Sequence, residues 1–199
     1  MKKTVIAVIG CGRIANNAHF PAFAQMDDLV EIKYACDLIP EKAQAMKDKY
    51  PAVQNVITDY HVALDDPEVE AVFVLTPNYA HYTVTMAALK AGKHVFCEKP
   101  VDLTIEKIKK TAEVAAETGK KLQIGFNRRF DHNHGKVQKL AADGTLGNIE
   151  LIKITSRDPE PPSPEYAASS GGLYIDMMIH DFDMAMFLAG CDVKEVYAM

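Results

Sequence analysis

Short apolar runs alternate with longer mixed segments through the first two-thirds of the chain. TVIAVI (4–9), VEIKYACD (30–37), AVFVLT (71–76), KHVFCEK (93–99) and KLQIGF (121–126) are rich in β-branched and aromatic residues and nearly continuous rather than alternating. Strands covered on both faces read this way. Between them lie helical patterns: IANNAHFPAFAQM (14–26), distorted at Pro21, and then 40–50, 78–91 and 104–118. Strands alternating with helices predict βαβ units and a parallel sheet, the α/β class.

After about residue 125 the rhythm changes. A helix is expected near 131–143, a turn at DGTLG, a strand at NIELIKITSR (148–157), a stiff loop at DPEPPSPEY and a final strand at VKEVYAM (193–199). A domain boundary near 125 follows, with 1–125 and 126–199 as the two parts. The second part looks short of a full sheet, because its last strand has few partners in view.

Between those two strands runs GGLYIDMMIHDFDMAMF (171–187), in which acids and a histidine interrupt an oily segment. On one helix at about 100° per residue, Asp176, His180, Asp183 and Phe187 share a stripe, and Ile175, Ile179, Phe182 and Met186 form an apolar stripe beside it that reads as core. The polar stripe suits a pocket wall. An amphipathic helix with an ordinary polar side accounts for the same pattern.

Composition narrows the function. The chain has 199 residues, 48% hydrophobic and 25% charged, enough for one large or two small domains. A formal charge of -5, without a Lys/Arg cluster, argues against nucleic acid as a partner. The apolar run after Lys2 and Lys3 is too short for a signal peptide, and no stretch approaches the roughly 20 apolar residues of a membrane span. Cys11, Cys36, Cys97 and Cys191 lack CxxC or CxH spacing, which fits the reduced thiols of a cytoplasmic protein and indicates no metal site.

GCGRIA (10–15) follows the first strand and opens a helix. Gly10 permits the tight turn, Gly12 lets a pyrophosphate approach the backbone, and Ala15 permits close packing, while the helix N-terminus favours the anion. Arg13 and Ile14 fall in the same cradle. The second strand ends in ACD, and Asp37 lies 22 residues beyond Ala15, where a carboxylate binds both ribose hydroxyls and repels a 2'-phosphate. The expected cofactor is NAD rather than NADP. TPN (76–78) and CEKP (97–100) fall at carboxyl ends of strands, where open α/β sheets bind ligands. Alone, the Lys-Pro pair is better explained by a plain loop.

GCGRIA, TPNYAH, AGKHVFCEKP, GFNRRF and GGLYIDMMIHDFDM occur in an order and spacing that resembles the Gfo/Idh/MocA oxidoreductases, and among them the inositol 2-dehydrogenases. The resemblance implies an N-terminal Rossmann domain, a doubly wound parallel sheet, over 1–125 and an incomplete C-terminal α/β domain over 126–199. It implies Lys99, Asp176 and His180 as a catalytic trio, Glu98 near the nicotinamide ribose, and Thr76, Pro77, Asn78 and His81 lining the cofactor cleft. Arg129 and Asp158 are implied on the substrate side beside the trio, together with a cis Lys99-Pro100 bond and a homo-oligomer. Members of the family are longer than this chain, which implies a piece of a longer protein or an unusually short member.

The chemistry expected is NAD-dependent oxidation of a secondary hydroxyl of a cyclic polyol, myo-inositol at C2 first. Histidine, with an ordinary pKa of about 6.5, suits the base that takes the hydroxyl proton, which assigns His180 that role. Asp176 would orient the imidazole and Lys99 would stabilise the developing alkoxide. Asp183 is expected to be structural and Asp181 solvated, and Arg128 and Arg129 either bind polyol hydroxyls or form salt bridges. Another sugar, such as an aldose, fits the same residues, and a dinucleotide-binding sensor without turnover is the alternative from another class.

Overall fold

A computed structural model describes residues 2–199, the side chains of Glu165 and Ser169 apart. The chain divides into two units, one ending at Gly125 and the other spanning Phe126–Met199. The first holds six strands, β1 (Thr4–Ile9), β2 (Val30–Cys36), β3 (Asn55–Ile57), β4 (Ala71–Val74), β5 (His94–Cys97) and β6 (Leu122–Ile124), all parallel in the order β3-β2-β1-β4-β5-β6. Order reverses between β1 and β4, which opens a crevice at their carboxyl ends.

The helices of this unit are α1 (Phe20–Ala24), α2 (Pro40–Lys49), α3 (His61–Asp65), α4 (Asn78–Lys90) and α5 (Ile105–Thr118). They cover both faces of the sheet, which is why the strands are apolar throughout. Along β1, Ile6 and Val8 join Ile32, Phe20, Phe23 and Met46 on one face, while Ala7 and Ile9 join Val72, Val74, Leu89 and Val114 on the other. Strand β3 and helix α3 have no counterpart in the expected pattern, because three and five residues are too few for a periodicity to register.

The turn before α1 is a π-helical segment, Ala15–His19, closed by the Phe20 N–H donating to the Ala15 carbonyl. Pro21 has no N–H to give the preceding turn, so the distortion expected there is present, one turn earlier than the proline itself.

In the second unit, Asn127–Phe130 forms a 3-10 turn, followed by α6 (His132–Ala142), α7 (Pro164–Ser169), α8 (Gly172–Asp176) and α9 (Ile179–Ala189). Asp131 caps α6 by accepting the N–H groups of Asn133 and His134. Two expectations are corrected here. Neither 148–157 nor 193–199 is a strand, and among the described residues no strand follows β6. Apolar composition alone forms no strand without a neighbour to complete the ladder.

The helix expected over 171–187 is broken at Met177–Met178. The Met178 N–H reaches back five residues to the Leu173 carbonyl, and the His180 N–H reaches only three, to Met177. A wide turn followed by a tight one resets the register, so Asp176 and His180 sit on successive helices. The apolar stripe is also not core, since Phe182 is 48% and Met186 42% exposed, whereas Met184 is buried. Helix α6 packs beside α9, and Met184 is the buried apolar side chain of this unit among the described residues.

Candidate functional site

The first unit builds a cradle at the carboxyl ends of β1 and β2. Gly10 turns with φ 101°, and a Cβ there would lie 2.5 Å from the carbonyl carbon and oxygen of Leu75, so the turn passes against the end of β4 where only glycine fits. Gly12 differs. A Cβ on it would meet nothing within 4 Å, which leaves open space in front of the backbone where a pyrophosphate sits against the helix opening. Ala15 is fully buried beneath, while Arg13 and Ile14 are exposed at the rim.

Asp37 follows β2. Its Oδ2 accepts the Cys11 N–H at 2.9 Å and its Oδ1 the Ile39 N–H at 2.9 Å, so the carboxylate is tied to the glycine turn itself. These residues fit a dinucleotide. Gly10, Gly12 and the helix opening would hold its pyrophosphate, and Asp37 a ribose diol. The acid's charge favours a cofactor without a 2'-phosphate.

Across the switch point, TPN and EKP follow β4 and β5, and the Lys99-Pro100 bond is cis. His81 holds these two loops together: Nε2 lies 2.7 Å from the Thr76 carbonyl and Nδ1 2.6 Å from the Pro100 carbonyl. At 1% exposure with both ring nitrogens engaged, His81 is a staple behind the cleft wall rather than a group that lines it. That corrects the expectation. Pro77 is exposed, whereas Thr76, Asn78, Glu98 and Lys99 are half-buried.

Glu98 is held from three sides. Its Oε1 lies 2.7 Å from His19 Nε2, its Oε2 accepts the Lys99 N–H at 3.3 Å, and its carboxylate packs on the bare Cα of Gly125. Sequence reasoning missed His19, which carries no motif of its own and whose aim is set by the π-turn. Cys97, at the end of β5, is buried, and desolvation pushes its thiol up to about 12.

The second unit carries Asp176 at the end of α8 and His180 in the first turn of α9. Tyr166 on α7 donates its hydroxyl to Asp176 Oδ1 at 2.9 Å, a contact the sequence did not signal. The His180 ring meets Phe126 edge-on, with centroids 6.4 Å apart.

Arg128 and Arg129 each pair with an acid. Arg129 forks onto Asp183, Nε at 2.9 Å and Nη2 at 2.6 Å, and its guanidinium lies over Phe187 at 5.0 Å. Its bidentate face is engaged by that carboxylate, which raises the arginine's pKa further. Arg128 pairs with Asp181, which also accepts the Ser156 hydroxyl at 2.5 Å; Asp181 is therefore paired rather than solvated. Asp158 is exposed on a segment without regular structure.

A parallel sheet in this order, with a glycine turn after its first strand and an acid after its second, defines a dinucleotide-binding domain of the Rossmann class. The chain belongs to the Gfo/Idh/MocA oxidoreductase family: the family's NAD-binding Rossmann-fold model matches residues 4–126 and its C-terminal domain model residues 134–199. It is 41% identical to the myo-inositol 2-dehydrogenase of Thermotoga maritima over 97% of this chain and 57% of that protein. It is 39% identical to the inositol 2-dehydrogenase of Rhizobium meliloti over 96% of this chain and 56% of that protein. A scyllo-inositol dehydrogenase from Lactobacillus casei, solved with NAD(H) and scyllo-inositol, superposes with a TM-score of 0.83 at 34% identity, covering 95% of this chain and 57% of that one. The chain thus spans a little over half the length of the relatives it matches.

Proposed function

We propose that this chain carries the NAD-binding domain and part of the substrate domain of a dehydrogenase that oxidises a secondary hydroxyl of a cyclic polyol, with myo-inositol at C2 as the first candidate. The observation that carries the dinucleotide half is the Asp37 carboxylate seated on the Gly10–Gly12 turn. The polyol half is supported by relatives named as inositol dehydrogenases at up to 41% identity over nearly the whole chain.

The chemistry NAD supplies when bound is acceptance of a hydride from the carbinol carbon. The chain's own residues handle the oxygen and its proton. In this reading His180 takes the hydroxyl proton, Asp176 holds the imidazole in the tautomer that accepts it, and Lys99 stabilises the negative charge developing on oxygen. Glu98 faces the nicotinamide ribose, and the cradle residues hold the rest of the cofactor. The cytoplasm as compartment belongs to the same proposal, supported by the free thiols of Cys11, Cys36 and Cys97; among the described residues no helix is long and apolar enough to cross a membrane. Self-association is part of it too, supported by the exposed side chains of Leu151, Val196 and Tyr197. A monomer on size-exclusion chromatography overturns that part.

The test is NADH formation from NAD with myo-inositol, scyllo-inositol and a panel of aldoses, beside His180→Ala, with NAD binding titrated in parallel. Turnover of an inositol that the substitution abolishes supports the reading. Turnover of an aldose alone reassigns the substrate. Binding without any turnover favours a sensor.

A further inference from the structure

Resting on the dinucleotide reading above, we propose that His19 is a positioning residue for the cofactor's nicotinamide end, acting through Glu98. The sheet itself divides the cofactor. Asp37 and the glycine turn lie after β2 and β1 and take the adenosine end and pyrophosphate, so the part of the ligand that crosses the switch point reaches the ends of β4 and β5. Glu98 stands at that second end, its N–H donating to the Val74 carbonyl at 3.0 Å. Unlike Asp37, its carboxylate is not anchored by the glycine turn.

His19 supplies the anchor. Its Nε2–H donates to Glu98 Oε1 at 2.7 Å, with the two side chains 14% and 17% exposed, so the pair is shielded without being closed off. The ring cannot turn away freely: it stands edge-on to Phe96, centroids 5.2 Å apart, and to Phe73 at 6.3 Å, with Phe23 tilted beside it at 6.1 Å. Phe73 packs on Phe96 and Phe23 in turn, which makes the seat rigid. The π-turn over Ala15–His19 sets the ring's direction, because one residue more in the turn rotates His19 relative to a regular helix running from the glycine turn.

Gly125 closes the other side. A Cβ there would lie 2.9 Å from Glu98 Oε2 and 3.1 Å from Cδ. The atoms it would meet are the far end of a flexible side chain, so an alanine at 125 shifts the carboxylate instead of the fold. Two substitutions, on opposite sides and far apart in sequence, therefore address one group.

The experiment compares two ligands on the full chain: NADH, which carries the nicotinamide riboside, and ADP, which keeps the adenosine and pyrophosphate but lacks the nicotinamide riboside. Each is titrated by calorimetry against the unsubstituted protein, His19→Ala, His19→Gln and Gly125→Ala, with melting temperatures alongside. The expected result is about tenfold weaker NADH binding by His19→Ala, with ADP changed by less than about twofold. His19→Gln, which can present an N–H to the same oxygen, recovers most of the loss, and Gly125→Ala reproduces it. Unchanged NADH affinity in His19→Ala, or equal losses for both ligands, overturns the inference. Should His19→Ala not fold, Gly125→Ala carries the same comparison. An unsubstituted chain that binds neither ligand overturns the dinucleotide reading itself, and this inference with it.

Discussion

The carboxylate of Asp37 accepts the backbone N–H of Cys11 at 2.9 Å, bridging the carboxyl ends of the first two strands. One acid thereby serves the turn that meets a pyrophosphate and stands where a ribose diol is read. Asp37→Ala removes both, and we expect NAD affinity to fall at least about tenfold while the preference over NADP narrows, since the charge that repels a 2'-phosphate is gone. Parallel titrations with NAD and NADP check this. An unchanged preference would show that something other than Asp37 excludes the phosphate.

Gly10 and Gly12 share a motif but not a reason. Gly10→Ala places a Cβ 2.5 Å from backbone atoms of Leu75 at a positive φ, and is expected to cost at least about 2 kcal/mol of stability. Gly12→Ala meets nothing in the protein and should melt like the unsubstituted chain, yet it fills the space a pyrophosphate needs. Its signature is loss of the thermal shift that saturating NAD gives, a stabilisation of about 2.7 kcal/mol at a hundredfold excess over Kd.

The first unit was legible because its signals are local. Near-continuous apolar runs mark strands buried on both faces, and GCGRIA followed by Asp37 encodes a cradle in a single βαβ stretch. His19 and His81 were not legible in their roles, because each acts on a partner 79 or 19 residues away through side-chain geometry that no spacing rule reports. In the second unit the periodicity of 171–187 implied one straight helix. A wide turn and then a tight one at Met177–Met178 undid that register, and hydrophobic pattern is blind to such a break. The pairing of Arg129 with Asp183 was not legible either, because the two are 54 residues apart.

His81 bridges the loops after β4 and β5, its ring nitrogens 2.7 Å from the Thr76 carbonyl and 2.6 Å from the Pro100 carbonyl, fully buried. His81→Ala removes the ring that bridges the two carbonyls and opens a cavity, for an expected loss of about 3 kcal/mol in denaturant unfolding. A loss under about 1 kcal/mol would mean that water or a loop shift replaces the staple.

Burial raises the thiols of Cys11, Cys36 and Cys97 to about 12, with the nearby Asp37 charge adding to the effect at Cys11 and Cys36, whereas Cys191 is exposed. Only the thiolate reacts, so near pH 8 a maleimide should label Cys191 in the native chain and the other three only after unfolding. Mass spectrometry of peptides from native and denatured samples reads this directly. Fast native labelling of Cys11 would show that the glycine turn opens.

Asp66 anchors the loop between α3 and β4, accepting Lys33 Nζ at 2.6 Å, the Tyr34 hydroxyl at 2.8 Å and the Glu68 N–H at 2.9 Å. The Lys33 ammonium, followed by the Glu68 N–H and the Tyr34 hydroxyl, holds its carboxyl well below the usual range, at about 2. A pKa lower in the folded state means the unfolded chain binds the proton first. The group's contribution is thus complete above the unfolded value of about 3.9 and disappears as pH falls through about 2. Asp66→Asn removes that titration and should flatten the acid limb of stability between about pH 4 and pH 2, while lowering stability at neutral pH through the lost ion pair. Chemical unfolding across that range, on both proteins, decides it. Parallel acid limbs would place the acid sensitivity on other carboxylates.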